Sequence, residues 1–169
     1  MNGHKLTALF AIITGLSVLS GPVLAQQKSL KDQLTGTWTI VSNNNTAADG
    51  TKRQPFGPNP KGYMVLSPEG RYIQILTNPD RPKFKADNRM KGTAEENTAA
   101  VHATTATFGT WSIDEASKML IIRNEGGMFP NQVGTVSKRT VTVAADDLKV
   151  SNPNPGSGGI ADSVFKRAK

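Results

Sequence analysis

The sequence predicts an all-β fold, an eight-stranded antiparallel up-and-down barrel with one short α-helix. Segments rich in alternating and β-branched residues recur along the chain, and most are joined by short turns rather than by helices. The absence of cysteine means that a packed core, and not disulfides, must stabilise the fold. Closure into a barrel removes the exposed edges that such a sheet would otherwise have.

Residues 1–25 have the features of a secretory signal peptide. His4 and Lys5 precede an apolar run, and the small residues Val23 and Ala25 end the segment. The run has roughly 15 residues, fewer than the ~20 that span a bilayer. We therefore expect cleavage after Ala25 and export of residues 26–169 as one barrel domain, to a periplasm or to the medium. Without a cysteine there is no thiol to lipidate, which excludes a lipoprotein anchor.

The charge of the exported part indicates a soluble surface. Its 19 basic and 13 acidic residues give a net charge of +6. The basic residues are scattered among acidic ones without a run of five, which is more typical of a solvated surface than of a nucleic-acid or membrane patch. No later segment is apolar enough to span a membrane.

The first half of the domain predicts three strands. In residues 36–42, Trp38 and Ile40 alternate with β-branched residues. A turn-rich loop follows, NNNTAADGTKRQPFGPNPKG. Residues 63–67 and 71–77 then form a hairpin, because Gly70 in the intervening PEG supplies the backbone conformation of a turn.

In the second half of the domain, the sequence predicts one helix and five strands. Residues 78–92 are polar and contain two prolines, which indicates a loop. Thr93 and Glu96 have capping-box spacing, so a helix of two or three turns begins there. Strand patterns follow at residues 104–113, 118–124, 133–144, 148–151 and 163–166, the last after the loop SNPNPGSGGIA.

The sequence GTW occurs twice, and the first copy, with Gly36 and Trp38, resembles the N-terminal signature of lipocalins. The segments LTGTWTIVS, DGTKRQPFGPNPKGYMVLSPEGRY, GTAEENTAAVHATTATFGTWSID and MFPNQVGTVSKRTVTVAADDLKVS are similar to the lipocalin-like domain family of small bacterial and fungal proteins, with a calycin-type barrel. The resemblance covers residues 30–167. The second copy, at Gly109, has different flanks and no third copy follows, so it is not a repeat.

The resemblance implies how one end of the barrel closes. Gly36 lets backbones approach, Trp38 plugs the closed end, and a basic residue of the last strand packs over the indole. Arg167 is the candidate for that residue, and Lys166 is the alternative.

The resemblance also implies a cup that binds a small hydrophobic or amphipathic molecule. The candidate ligand-binding residues are aromatic or polar residues in strands: Tyr63, Tyr72, Gln74, Phe108, Arg123 and Arg139. Tyr72 and Gln74 share one face of their strand, and an arginine on an apolar face can clamp a carboxylate. Alternation alone does not tell which face is inside, so Gln74 and both arginines are also consistent with solvent-facing positions. Phe56 and Phe129, in proline-containing loops, either line the mouth or cover one end of the core.

Signals for an enzyme are few. His102 is the only histidine in residues 26–169, no nucleophile elbow occurs, and Glu95 and Glu96 point about 100° apart on a helix. The sequence implies no metal site, cofactor or nucleic-acid partner.

Three functions stay open. The sequence favours a carrier of a small hydrophobic or amphipathic molecule. The second is an interaction module whose filled barrel binds an envelope component or a protein through its loops. The third is a lipocalin-like isomerase or hydrolase, which needs Glu125, Arg123 or Arg139 to point inward. The sequence sets neither the ligand's identity nor the oligomeric state.

Overall fold

The computed structural model describes residues 28–169, and the predicted signal peptide at residues 1–25 lies outside them. The described residues form one antiparallel sheet of nine strands. The strands are β1 (Gly36–Thr46), β2 (Lys52–Arg53), β3 (Lys61–Leu66), β4 (Arg71–Thr77), β5 (Thr104–Asp114), β6 (Met119–Gly127), β7 (Val136–Ala144), β8 (Asp147–Asn152) and β9 (Ile160–Arg167).

Eight of these strands close into a barrel. From β3 to β9 each strand pairs with the next one along the chain, and β1 pairs with both β3 and β9. The predicted eight-stranded up-and-down barrel is therefore confirmed. The ninth strand, β2, has two residues and pairs with the end of β1, inside the turn-rich loop that was predicted there.

The predicted helix is α2 (Ala94–His102). The Thr93 hydroxyl accepts from the Glu96 N–H and the Glu96 carboxylate accepts from the Thr93 N–H, so the capping box is present. Glu96 also accepts from the Lys85 N–H. The backbone N–H groups of Lys85 and Thr93 hold the pKa of Glu96 below its ordinary value of 4.5. No residue of α2 is buried, so this helix lies on the surface.

A five-residue helix, α1 (Leu30–Leu34), precedes β1 and has no counterpart in the prediction. The Glu115 carboxylate, in the turn between β5 and β6, accepts from the N–H groups of Leu30 and Lys31 at 3.0 Å each. Leu34 is fully buried. These contacts hold α1 across one end of the barrel, which we call the closed end. The opposite end, where β1 ends and β9 begins, is the mouth. Two short 3-10 turns, Arg89–Lys91 and Pro130–Gln132, lie in the loops on the mouth side.

The barrel interior changes in character from the closed end to the mouth. Along the strands, the inward residues nearer the closed end are apolar, among them Trp38, Leu66, Trp111, Leu120, Leu148 and Phe165. The inward residues nearer the mouth are mostly polar: Asn43, Asn45, Gln74, Thr105, Thr107, Asn124, Ser137, Asn152 and Ser163. The closed half is therefore filled by hydrophobic side chains, and the mouth half has a polar wall.

Candidate functional site

The closed end is built around Trp38. Its indole N–H donates to the Leu34 carbonyl at 2.7 Å, and the Arg167 guanidinium lies 4.2 Å from its ring centroid. Arg167 also donates to the carbonyls of Thr35 at 3.0 Å and Gln33 at 2.6 Å, which ties α1 to the last strand. The alternative, Lys166, points outward.

Gly36 is required by this arrangement. It has φ +133°, a conformation that residues with a side chain rarely adopt, and a Cβ there would lie 3.0 Å from Arg167 Nη1. Trp111, in the second GTW, is also buried near the closed end, where its indole N–H donates to the Ser67 carbonyl at 2.9 Å. The tryptophans of both GTW segments, Trp38 and Trp111, therefore fill the closed end of the barrel.

The mouth half of the interior has polar walls. Gln74, Thr105, Thr107, Ser137 and Asn152 face inward and are nevertheless partly exposed. Because their strands are paired on both sides, the space that exposes them is the mouth of the barrel. We call this space the cup. Binding sites of this kind position a ligand through a few polar groups.

Arg139 lies at the floor of the cup and is 8% exposed. Its Nη1 donates to Tyr72 Oη and to Gln74 Oε1, both at 3.2 Å, and its Nε donates to Ser137 Oγ at 3.2 Å. Tyr72 Oη donates in turn to Gln74 Oε1 at 2.7 Å. Tyr72 is buried, and the guanidinium lies 5.6 Å from its ring centroid. We call these four residues the Arg139 cluster.

Every recorded partner of Arg139 is neutral. The three ion pairs within residues 28–169 involve Arg71, Lys166 and Arg167 and not Arg139. Nη2 has no acceptor within these residues and is not among their fully buried unpartnered atoms, so it keeps some exposed surface. A guanidinium in this position presents free donors that match the oxygens of a carboxylate.

Asn124, on β6, adds an acceptor that lacks a donor. Its Nδ2 donates to Thr135 Oγ1 at 3.0 Å, and the Thr135 hydroxyl donates to the Gln132 carbonyl at 2.7 Å. Because that hydroxyl hydrogen is already used, Thr135 can only accept from Asn124, which fixes the orientation of the amide. Asn124 Oδ1 is therefore a buried acceptor with no partner within residues 28–169. Asn124 and Tyr72 pair with Gly109 on its two sides.

The chain matches the lipocalin-like domain family over residues 35–162. It belongs to this family. A lipocalin-like protein from Bacteroides uniformis is 15% identical, with 80% of this chain and 99% of that chain covered and a TM-score of 0.42. A mutant of the fluorescent protein UnaG is 14% identical, with 81% of this chain and 97% of that chain covered and a TM-score of 0.36. No curated protein matches the chain.

Of the six predicted ligand-binding residues, this lipocalin-like barrel brings three together. Tyr72, Gln74 and Arg139 all lie in the Arg139 cluster. Tyr63, Phe108 and Arg123 do not line the cup.

These three lie on the outer face, where Tyr63 is 55% and Phe108 51% exposed. The reason is the strict alternation of strands: Tyr63 is next to the buried Met64, and Arg123 lies between the buried Ile122 and Asn124. Glu125 also faces outward and pairs with Arg71 at 3.1 Å.

The two loop phenylalanines lie at the mouth in different environments. Phe56 is half-buried and packs against the core. Phe129 is 44% exposed and lies close to Gly156 in the loop between β8 and β9, where an added Cβ would be 2.9 Å from the Phe129 ring. Phe129 therefore remains available to a molecule in the mouth, whereas Phe56 mainly covers the core.

Several polar residues of the cup were not predicted, among them Asn43, Asn124 and Ser137. Ser137 could have been predicted, because it lies two residues before Arg139 and therefore shares its face of the strand. For Asn43 no simple signal exists, because a β-bulge between Ile40 and Ser42 reverses the alternation within β1.

Two other cavities lie outside the cup. One of about 460 Å³ is lined by α1 residues, Glu115 and residues 141–143 near the closed end, and one of about 220 Å³ lies against β7, β8 and β9. The recorded linings include neither a member of the Arg139 cluster nor Asn124. Within residues 28–169 there is no group of three or more potential metal-ligating acidic or histidine side chains. In the same part of the chain, no helix has the length and apolarity to cross a membrane.

Proposed function

We propose that this lipocalin-like protein is an exported carrier that binds a small amphipathic anion in the cup, with the anionic group on Arg139. The observation that carries the proposal is a buried arginine whose partners are all neutral and whose Nη2 has no acceptor among residues 28–169. Removing a guanidinium from water has a large cost unless an opposite charge compensates it. A carboxylate in the cup would supply that charge and accept the free donors.

The body of the ligand should be polar. The walls around Arg139 carry amides and hydroxyls, whereas the apolar half of the interior is filled by the core. An apolar part of the ligand would lie at the mouth, near Phe129. This combination favours an amphipathic acid over a wholly hydrophobic molecule.

A carrier fits these residues better than an enzyme does. Glu125 and Arg123, which a catalytic cluster in the cup would need, point to the outside, and Glu125 is paired with Arg71. Arg139 is then the one charged side chain of the three candidates that reaches the cup. A single guanidinium with a tyrosine and an amide binds an anion but provides no carboxylate general base.

Export is part of the proposal and is supported by the features of residues 1–25: basic residues, an apolar run and small residues before the expected cleavage site. Recovery of a chain that starts at Gln26 from the envelope or medium of its own host would support export. A chain that retains Met1 in the cytosol would contradict it.

Native mass spectrometry of the protein purified gently from its own host tests the binding function. We expect a co-purified acid of a few hundred daltons that is released on unfolding. Arg139→Leu should lose this mass, and the matched control Arg123→Leu, an exposed arginine one strand away, should keep it. Loss from both variants, or from neither, would contradict the role of Arg139, and a wild-type protein that carries no ligand and binds no acid would contradict the carrier function.

A further inference from the structure

The outer wall of the barrel has an apolar surface at β3, β4 and β5. We call it the outer patch, and its residues are Tyr63, Val65, Ile73, Ile75, Ala106 and Phe108. They are contiguous, because Tyr63 pairs with Ile75 and Ile75 with Ala106, while Val65 pairs with Ile73 and Ile73 with Phe108. The four largest side chains are 46–55% exposed.

An apolar outer wall is not forced by the fold. The outward positions of an antiparallel barrel normally face water and are polar. On the opposite wall they are mostly so, with Lys138, Thr140 and Thr142 on β7 and Lys149 and Ser151 on β8. A contiguous exposed apolar patch on one wall is typical of a surface that binds another protein or a membrane.

A basic loop adjoins the outer patch. Lys61, Thr77 and Thr104 form the outward row at the mouth, directly above Tyr63 and its neighbours, and the chain leaves the barrel at Thr77. Residues 78–93, which we call the basic loop, contain five basic and two acidic residues. Its lysines and Arg89 are exposed and take part in none of the ion pairs recorded for the described chain. Met90 in the same loop is 82% exposed.

Two carboxylates lie near the basic loop, at the start of α2. Glu96 accepts backbone N–H groups within this region and is only partly exposed, and Glu95 is exposed beside it. They reduce the positive charge of the surface without removing its excess of lysine and arginine.

We infer that the outer patch and the basic loop dock the protein on an anionic lipid bilayer, with the mouth close to the lipid surface. The patch provides aromatic and aliphatic side chains that partition into the interface, and the loop provides the charge that anionic headgroups attract. A bilayer adapts to the convex wall of a barrel, which a rigid partner would have to match. A second copy with its barrel axis parallel is disfavoured, because that packing would bring two basic loops together.

This inference goes beyond the proposed function and does not depend on Arg139. Its test is co-sedimentation of the exported chain with vesicles of phosphatidylglycerol and phosphatidylcholine, or of phosphatidylcholine alone. We expect binding to the anionic vesicles that decreases at high salt. Lys83→Gln with Lys85→Gln should weaken it by about tenfold or more, since each lysine near an anionic surface contributes substantially. Lys138→Gln with Lys149→Gln, on the opposite wall, should weaken it much less.

A second variant and its control test the contribution of the apolar outer patch to vesicle binding. Tyr63→Ser with Phe108→Ser should reduce vesicle binding at least as much as the loop variant does. Val41→Ser with Ile160→Ser removes apolar side chains of similar exposure, 45% and 47%, from β1 and β9 and should leave binding unchanged.

Three outcomes would overturn the inference. The first is a wild-type protein that does not bind anionic vesicles. The second is an equal loss in the patch variant and its control. The third is a wild-type dimer that Tyr63→Ser with Phe108→Ser converts to a monomer, which would identify a second copy as the occupant. None of them affects ligand binding at Arg139, so this test and that of the carrier function fail separately.

Discussion

Arg139 is held in place by hydrogen bonds from its guanidinium to Tyr72, Gln74 and Ser137, but no opposite charge accompanies it. A buried charge without a counterion opposes folding. Replacement by leucine would leave the bond between Tyr72 and Gln74 intact and would place an apolar side chain beside Leu120.

We therefore predict that Arg139→Leu keeps or increases the free energy of unfolding of the ligand-free protein, by up to ~2 kcal/mol. Urea unfolding followed by tryptophan fluorescence measures this. Arg123→Leu is the control and should stay within about 0.5 kcal/mol of the wild type, as is usual for an exposed position. A loss of several kcal/mol in Arg139→Leu would show that the arginine is a structural residue.

Asn124 gives a second prediction for a single residue. Asn124→Leu has nearly the same shape and removes one hydrogen bond to Thr135, worth about 1 kcal/mol, together with the unpartnered Oδ1, which costs about 1–3 kcal/mol. We expect a free energy of unfolding equal to or above that of the wild type in the same urea experiment. A decrease of more than ~2 kcal/mol would mean that Oδ1 has a donor in the ligand-free protein.

The identity of residues in the cup was only partly predictable from the sequence. Tyr72 and Gln74 share a strand face, and Arg139 follows the alternation of β7. The sequence could therefore predict that these three residues lie on inward faces. The sequence predicts Tyr63, Phe108 and Arg123 in the cup because apolar residues occupy both faces of β3, β5 and β6. When the outer wall is also apolar, alternation cannot distinguish inside from outside.

At the scale of secondary structure elements, Arg167 joins α1, β1 and β9. Its bonds to the carbonyls of Gln33 in α1 and of Thr35, which follows α1, combine with its position over Trp38 to give charge-assisted hydrogen bonds and a cation–π interaction. We predict that Arg167→Ala lowers the free energy of unfolding by about 2–4 kcal/mol. Lys166→Ala, which breaks only an exposed ion pair with Asp147, should lower it by less than about 1 kcal/mol. Equal losses in the two variants would contradict a special role of Arg167 at the closed end.

The capping box of α2 makes this helix sensitive to acid. The pKa of Glu96 is lowered by backbone bonds from Lys85 and Thr93, so its contribution to stability is complete above pH 4.5 and is lost as pH falls through the folded-state pKa. We predict that hydrogen-exchange protection factors of the Lys85 and Thr93 amides decrease below pH 4.5 in the wild type. In Glu96→Gln they should not change over that range. A wild-type profile as flat as that of Glu96→Gln would contradict the assignment.

The elements differed in how well the sequence predicted them. The strands and α2 follow from alternation, turn residues and a capping box, which are local signals. Helix α1 has five residues, too few for a helical period, and it depends on Glu115 from a distant turn. Strand β2 is a local pairing inside a loop, and the bulges in β1 and β6 depend on the partner strands. Elements that depend on tertiary contacts were the ones that the sequence did not predict.

Along the barrel axis, the molecule divides into an apolar half at the closed end and a polar half at the mouth. The closed half contains the tryptophans, the α1 contacts and most of the buried apolar side chains, so it carries the stability of the fold. The mouth half contains the polar cup, a charge without a counterion and an acceptor without a donor. The proposed carrier function would use only the mouth half, because the other half is filled by the core.

Isothermal titration calorimetry with N-octanoylglycine tests the central claim most directly, because this probe has a carboxylate for Arg139, a polar amide for the walls of the cup and an apolar chain for the mouth. We predict that residues 26–169 bind it, that Arg123→Leu binds it equally well, and that Arg139→Leu binds it at least about tenfold more weakly, as loss of a buried charge-assisted pair requires. The neutral analogue octanoylglycinamide should bind the wild type about as weakly as the acid binds Arg139→Leu. Equal affinity of the acid and the amide for the wild type, or no binding of either, would contradict an anion site at the floor of the cup.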